Sequence, residues 1–93
     1  MNKEDLKREI NTTIDNLASK IDEMEAKKNQ VKNETQNKYT TTLETMKAKK
    51  EELKSKYEDI ENASDDKWQE IQSSLHSAKS SFKEGVNELS SVF

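Results

Sequence analysis

Apolar side chains recur along almost the whole chain at the spacing of one helical face. The first stretch reads Leu6, Ile10, Ile14, Leu17, Ile21, Met24, Lys28 and Val31, with a mean step of about 3.57 residues. The second continues through Val31, Thr35, Tyr39, Thr42, Met46, Lys50, Leu53, Tyr57, Ile60, Ser64, Trp68, Ile71, Leu75, Ala78, Phe82, Val86, Leu89 and Phe93, with a mean step of about 3.65. The first value approaches the 3.5 of a heptad seam and the second the 3.67 of an eleven-residue repeat. Such a seam stays nearly straight. The pattern predicts helix throughout.

Two segments weaken that signal. Asn33 to Thr42 is rich in poor helix formers, and Thr41 with Glu44 has capping-box spacing. Asn62-Ala63-Ser64-Asp65-Asp66 is the better stop. Ser64 can cap a new helix, with Asp65 and Asp66 in its positive first turn. Against both breaks stands the register: Tyr57, Ile60, Ser64, Trp68 and Ile71 keep one face across the second site. Two segments follow from this, a charged coiled-coil helix over 1–62 with an irregularity at 33–42, and a Ser-rich amphipathic helix over 63–93.

Composition sharpens the division. Residues 1–62 hold 13 basic and 14 acidic residues, against three and five in 65–93. The front carries Glu-to-Lys or Glu-to-Arg pairs at i,i+4, such as Glu4 with Arg8, Glu23 with Lys27, Glu34 with Lys38 and Glu52 with Lys56. The chain has no Pro and one Gly, Gly85, which excludes turn-rich all-β folds. Only 22 of 93 residues are large and apolar, and they form a narrow stripe. A single chain is then short of apolar surface to bury, and association is the expected remedy.

Little in the sequence points to chemistry. There is no cysteine, so disulfides and thiolate metal sites are excluded. His76, the one histidine, falls off the stripe and has no oriented partner in view. The clusters Asp22, Glu23, Glu25 and Glu58, Asp59, Glu61 have lysines beside them and read as solvated faces. No Gly-rich phosphate loop or nucleophile motif is present. Lys47, Lys50 and Lys54 share a helix face, but a net charge of −3 with interspersed acids argues against nucleic acid. The N-terminal residues lack the apolar core of a secretory signal, and no run is long enough to cross a bilayer. The expected address is cytoplasmic, with non-signal export left open.

Ala63-Ser64-Asp65-Asp66-Lys67-Trp68-Gln69-Glu70-Ile71, followed by Ala78, Phe82-Lys83 and the final Phe93, resembles a set of small uncharacterised bacterial coiled-coil proteins. These have a Lys/Glu/Ala-rich first part and an Ala-Ser-acid-acid-x-Trp start to a shorter amphipathic helix ending in Phe. Many carry a second Trp eleven residues after the first, where this chain has Lys79. The resemblance implies a free-standing helical protein with a break near Ser64, and it implies no activity.

The expected fold is therefore all-α: a long helix or helical hairpin assembled as an antiparallel coiled coil or bundle, with a break near 62–66. A monomeric three-helix bundle with turns near Asn37 and Asn62 is the second architecture. The expected interface, with another copy or a protein partner, comprises Leu53, Tyr57, Ile60, Trp68, Ile71, Leu75, Phe82, Val86 and Leu89, with Ser64 as helix cap. No cofactor, metal, small-molecule substrate or catalytic residue is expected. The leading function is a non-enzymatic, self-associating scaffold or protein-interaction module. The alternative is an amphipathic binder of lipid or membrane surfaces similar to exchangeable apolipoproteins, although Lys67, Lys79 and Lys83 against five acids give the tail little of the usual cationic polar face.

Overall fold

Helix starts and stops follow local chemistry. In the computed structural model, which describes residues 2–92, the Asn2 side chain accepts a hydrogen bond from the Asp5 amide at 2.8 Å and opens α1 (Lys3–Lys27), with Glu4 and Asp5 in the first turn. A 3-10 turn at Lys28–Gln30 and two extended residues, Val31 and Lys32, lead into α2 (Asn33–Asp59). A second 3-10 turn at Ile60–Asn62, then Ala63 and Ser64, leads into α3 (Asp65–Val92). The Ser64 oxygen Oγ accepts from the Lys67 amide at 3.3 Å and its carbonyl from the Trp68 amide at 2.8 Å, so Ser64 caps α3.

Each helix packs against the other two. The chain runs up, down and up as a rod with Cα extents of 46 × 18 × 17 Å. The all-α bundle and the break at Ser64 agree with the sequence pattern. Residues 1–62 are not one helix, however, because the chain turns at 28–32. The segment 33–42, read as irregular, is instead the regular start of α2. Tertiary packing overrides its poor propensity: Tyr39 and Thr42 are buried, and Thr35 Oγ donates to the Lys32 carbonyl at 3.2 Å. The turn falls earlier than Asn37, with Val31 extended and buried within it.

The core is one thin column. Leu6, Ile10, Leu17, Ile21 and Met24 of α1 meet Tyr39, Leu43, Met46 and Leu53 of α2 and Ile71, Leu75, Ala78 and Leu89 of α3, with Val31 and Ile60 closing the turns. Three narrow stripes facing one another supply the burial that one stripe lacks. Phe93, which ends the sequence stripe, lies outside the described residues.

The buried face of α3 is broader than its apolar stripe: the stripe residues Ile71, Leu75, Ala78 and Leu89 are joined by Ser74, Ser81, Gly85 and Glu88, while Trp68, Phe82 and Val86 sit half-buried at its edge. Small side chains there allow α2 to come close. A Cβ placed on Gly85 would stand 2.3 Å from Met46 Sδ and 2.8 Å from its Cε.

Two outcomes follow for stability. Ser64→Ala removes the cap and is expected to cost about 1 kcal/mol, lowering the melting temperature by about 4–8 °C; a rise on thermal melting would contradict the cap. Gly85→Ala gains about 0.5–1 kcal/mol of helix propensity, but in the wild-type background it must displace the buried Met46 side chain. Chemical denaturation of a double-mutant cycle with Met46→Ala should show coupling of about 1 kcal/mol or more, the Gly85 change being better tolerated once Met46 is shortened.

Candidate functional site

The residues expected at an intermolecular interface mostly fill the chain's own core. Leu53, Ile60 and Ile71 are at most 1% exposed, and Leu75 and Leu89 are also buried. Tyr57, Trp68 and Phe82 are half-buried and packed against that core, and Val86 is partly exposed. His76 is exposed. The structure thus leaves only the edge of the expected interface for other molecules.

A different surface stands out around the middle of α1. Two grooves flank it. The groove toward α3 is lined by Arg8, Glu9, Thr12, Thr13 and Asn16 with Lys79 and Phe82. The groove toward α2 is lined by Asn11 and Ile14 with Lys54, Tyr57 and Glu58. The ridge between them exposes Asn11, Thr12, Asp15, Asn16 and Ser19. Of the nine residues from Asn11 to Ser19 only Asp15 is charged, in a chain that is 38% charged. Glu9 stands at the edge: its Oε1 accepts from Lys79 Nζ at 3.0 Å, while its buried Oε2 has no hydrogen-bond partner.

Charged side chains clasp the helices to one another. Lys3 and Lys7 of α1 reach Glu61 in the second turn, Lys47 of α2 reaches Glu25 of α1, and Lys56 of α2 reaches Glu70 of α3. The hydrogen bond from Lys7 holds the Glu61 carboxyl below its ordinary value, as the Lys47 bond does for Glu25 and the Lys56 bond for Glu70. The same contacts raise Lys7 and Lys56. Lysines and the one arginine therefore serve other partners than the i,i+4 ones read from sequence: Arg8 pairs with Asp5, Lys38 with the buried Glu88, and Lys56 with Glu70. These pairs are exposed at one end at least, and each contributes little by itself.

Tyr39 joins two helices by a different bond. Its buried hydroxyl donates to the Met24 carbonyl at 3.0 Å, satisfying a carbonyl in the last turn of α1. Burial raises its pKa above the usual 10.0, and the charges of Glu23, Glu25 and Glu88 add to the rise.

Among the described residues no group of three or more His, Asp and Glu side chains could hold a metal ion, and no helix is long and apolar enough to cross a membrane. No family model, curated protein or solved structure matches the chain. The sequence pattern passed over the α1 ridge because its signal is a local lack of charge, not a motif. It also passed over Leu43, Thr13, Ser74, Ser81 and Glu88, all buried, because four of these five are polar and Leu43 lies one position from Thr42 on the assumed stripe.

Two pH responses are expected. Glu25, Glu61 and Glu70 have folded values below the ordinary 4.5. Their contribution is present above that value and is lost as pH falls through the lowered values. Melting temperature should drop below about pH 4.5, and Glu61→Gln should flatten part of that drop. Tyr39 works in the opposite direction. With its folded pKa raised, its contribution is complete below pH 10 and is lost as pH rises through the folded value. Tyr39→Phe should cost about 1 kcal/mol at neutral pH and should lose less stability than wild type between pH 9 and 11, as read by denaturant titration.

Proposed function

We propose that this chain is a non-enzymatic helical scaffold that self-associates and offers the middle of α1 to protein partners. The carrying observation is the nearly uncharged ridge Asn11–Ser19 between the Phe82 and Tyr57 grooves. Protein interfaces are depleted of charge at their centre and enriched in aromatic side chains. On a chain so charged elsewhere, this is the surface that loses least solvation on contact. Small polar side chains along the ridge lose little rotamer freedom when covered. The half-buried rings of Tyr57 and Phe82 supply anchors on either side.

The alternative, binding to lipid surfaces, draws on the amphipathic α1 and α3 and on short turns with no disulfide across them. It requires the apolar column to unfold outward, whereas the α1 ridge is available in the folded bundle.

Two measurements test the proposal. Light scattering across about 10–500 μM should show mass rising above the 10.8 kDa of one chain. Thr12→Lys with Asn16→Lys places charge on the exposed ridge and should leave the melting temperature nearly unchanged, since surface changes are usually within about 0.5 kcal/mol, while reducing cross-links mapped to α1. A strictly monomeric chain with no α1 cross-links would overturn the reading. Co-sedimentation with anionic vesicles, accompanied by loss of tertiary near-ultraviolet signal, would favour the lipid alternative.

A further inference from the structure

We infer that copies of this chain join by exchanging α3, with the turn at Ile60–Ser64 straightening so that α2 and α3 become one helix. The inference rests on the self-association proposed above and specifies how it happens. In the exchanged dimer each α1–α2 hairpin receives the α3 of a second copy, and every contact of α3 is remade between chains.

The turn itself is the first observation. It consists of a 3-10 segment and two residues outside the helices, with Ala63 at φ −72 and ψ 131. No described non-glycine residue has positive φ, and neither Gly nor Pro lies between Ile60 and Asp66. Rotation about a few ψ angles converts this segment to helix with no residue leaving allowed space. A continuous helix would give the amides of Ser64, Asp65 and Asp66 the carbonyls of Ile60, Glu61 and Asn62 as partners.

The second observation is register. The apolar face passes through the turn without a phase change, from Tyr57 and Ile60 across Ser64 to Trp68 and Ile71. The face keeps its phase across the first turn as well, so register permits straightening at either turn, and the contacts that hold each bend decide between them. With the turn straightened, residues 33–92 form a helix of about 90 Å at ~1.5 Å per residue, still presenting one face to the α1 helices of both copies.

The third observation separates the two turns. Around Lys28–Lys32 the Gln36 side chain donates to the Lys28 carbonyl at 3.1 Å, Thr35 Oγ donates to the Lys32 carbonyl, and Val31 is buried. At the second turn, Lys56 with Glu70 and Lys67 with Asp59 run from α2 to α3, so an exchanged copy remakes them between chains and only the Ser64 cap is lost on straightening. The Gln36 and Thr35 bonds of the first turn are local to its bend and have no such replacement. Exchange also completes the α1 surface in trans: Phe82 and Lys79, which line the groove beside the ridge, would come from the second copy. Swapping of one element through a hinge is a low-cost route to dimers.

The test uses the full chain, whose lack of cysteine makes introduced labels unique. Lys56 and Glu70 touch across the turn in the closed form. Spin labels on a Lys56→Cys, Glu70→Cys variant, diluted into excess unlabelled protein, report the separation within one chain. In the dimer fraction it should lengthen from contact to about 21 Å, 14 residues of helix at ~1.5 Å each. Ser64→Ala should tighten dimerisation about 30-fold, because one cap is lost at each of two hinges. Asp65→Pro should abolish the dimer while keeping helix content, since Pro suits the first position of a helix and breaks a helix interior. A dimer that retains the short separation, or that persists in Asp65→Pro, overturns the exchange and leaves self-association standing. Absence of any dimer up to millimolar Ser64→Ala overturns both.

Discussion

The close approach of α3 to α2 is the constraint on which the remaining packing depends. A rod only 18 Å across at its Cα atoms cannot hold three helices bearing large side chains on every facing position. The line through Ser74, Ala78, Ser81 and Gly85 gives up volume so that Met46 can fill the space beside Gly85. The larger side chains of α3 are then left at the margin, where Trp68 and Phe82 cover the column without entering it. A methionine suits that position, since its flexible thioether fills irregular gaps. Small α3 residues, a pliable α2 residue and edge aromatics are one solution to one geometric limit.

That solution places polar groups inside a core with few apolar ones. Buried Thr13 donates its hydroxyl to the Glu9 carbonyl at 2.8 Å, and buried Ser74 donates to Glu52 Oε1 at 2.8 Å. Tyr39 spends its hydroxyl on a helix end. A buried polar group is costly only when it lacks a partner, and these partners lie within the bundle. Glu9 Oε2 is the exception among the described side chains, and it lies beside the α1 ridge. Self-association and the uncharged ridge are proposals of function that rest on this economy: the apolar residues are consumed internally, and what remains for contact is a surface defined by missing charge.

Much of the fold was legible because helical periodicity survives noise. The buried residues Leu6, Ile10, Leu17, Ile21 and Met24 are the stripe read from the sequence, and Ser64 with two following aspartates marked the start of α3. The first turn was not legible, since Lys28 to Lys32 has neither Gly nor Pro and the stripe crosses it in phase. Local propensity pointed instead to the threonines of 33–42, which packing holds in helix. On α3 the stripe marked Ile71, Leu75, Ala78 and Leu89 correctly but missed Ser74, Ser81 and Gly85, because hydrophobicity carries no signal for the small side chains that a close interface favours. The α1 ridge escaped because no pattern of hydrophobic residues defines it.

An odd number of helices puts Asn2 and Val92 at opposite ends of the rod: Glu61, beside Lys3 and Lys7, lies at the far end of α2 from Lys38, beside Glu88. Tension applied through those two ends therefore runs parallel to all three helices. The helices would slide past one another in shear, loading the side-chain column along its whole length at once, where a two-helix hairpin would peel open one turn at a time. In that geometry a pull along the axis is shared by the whole side-chain column and is not concentrated at one turn.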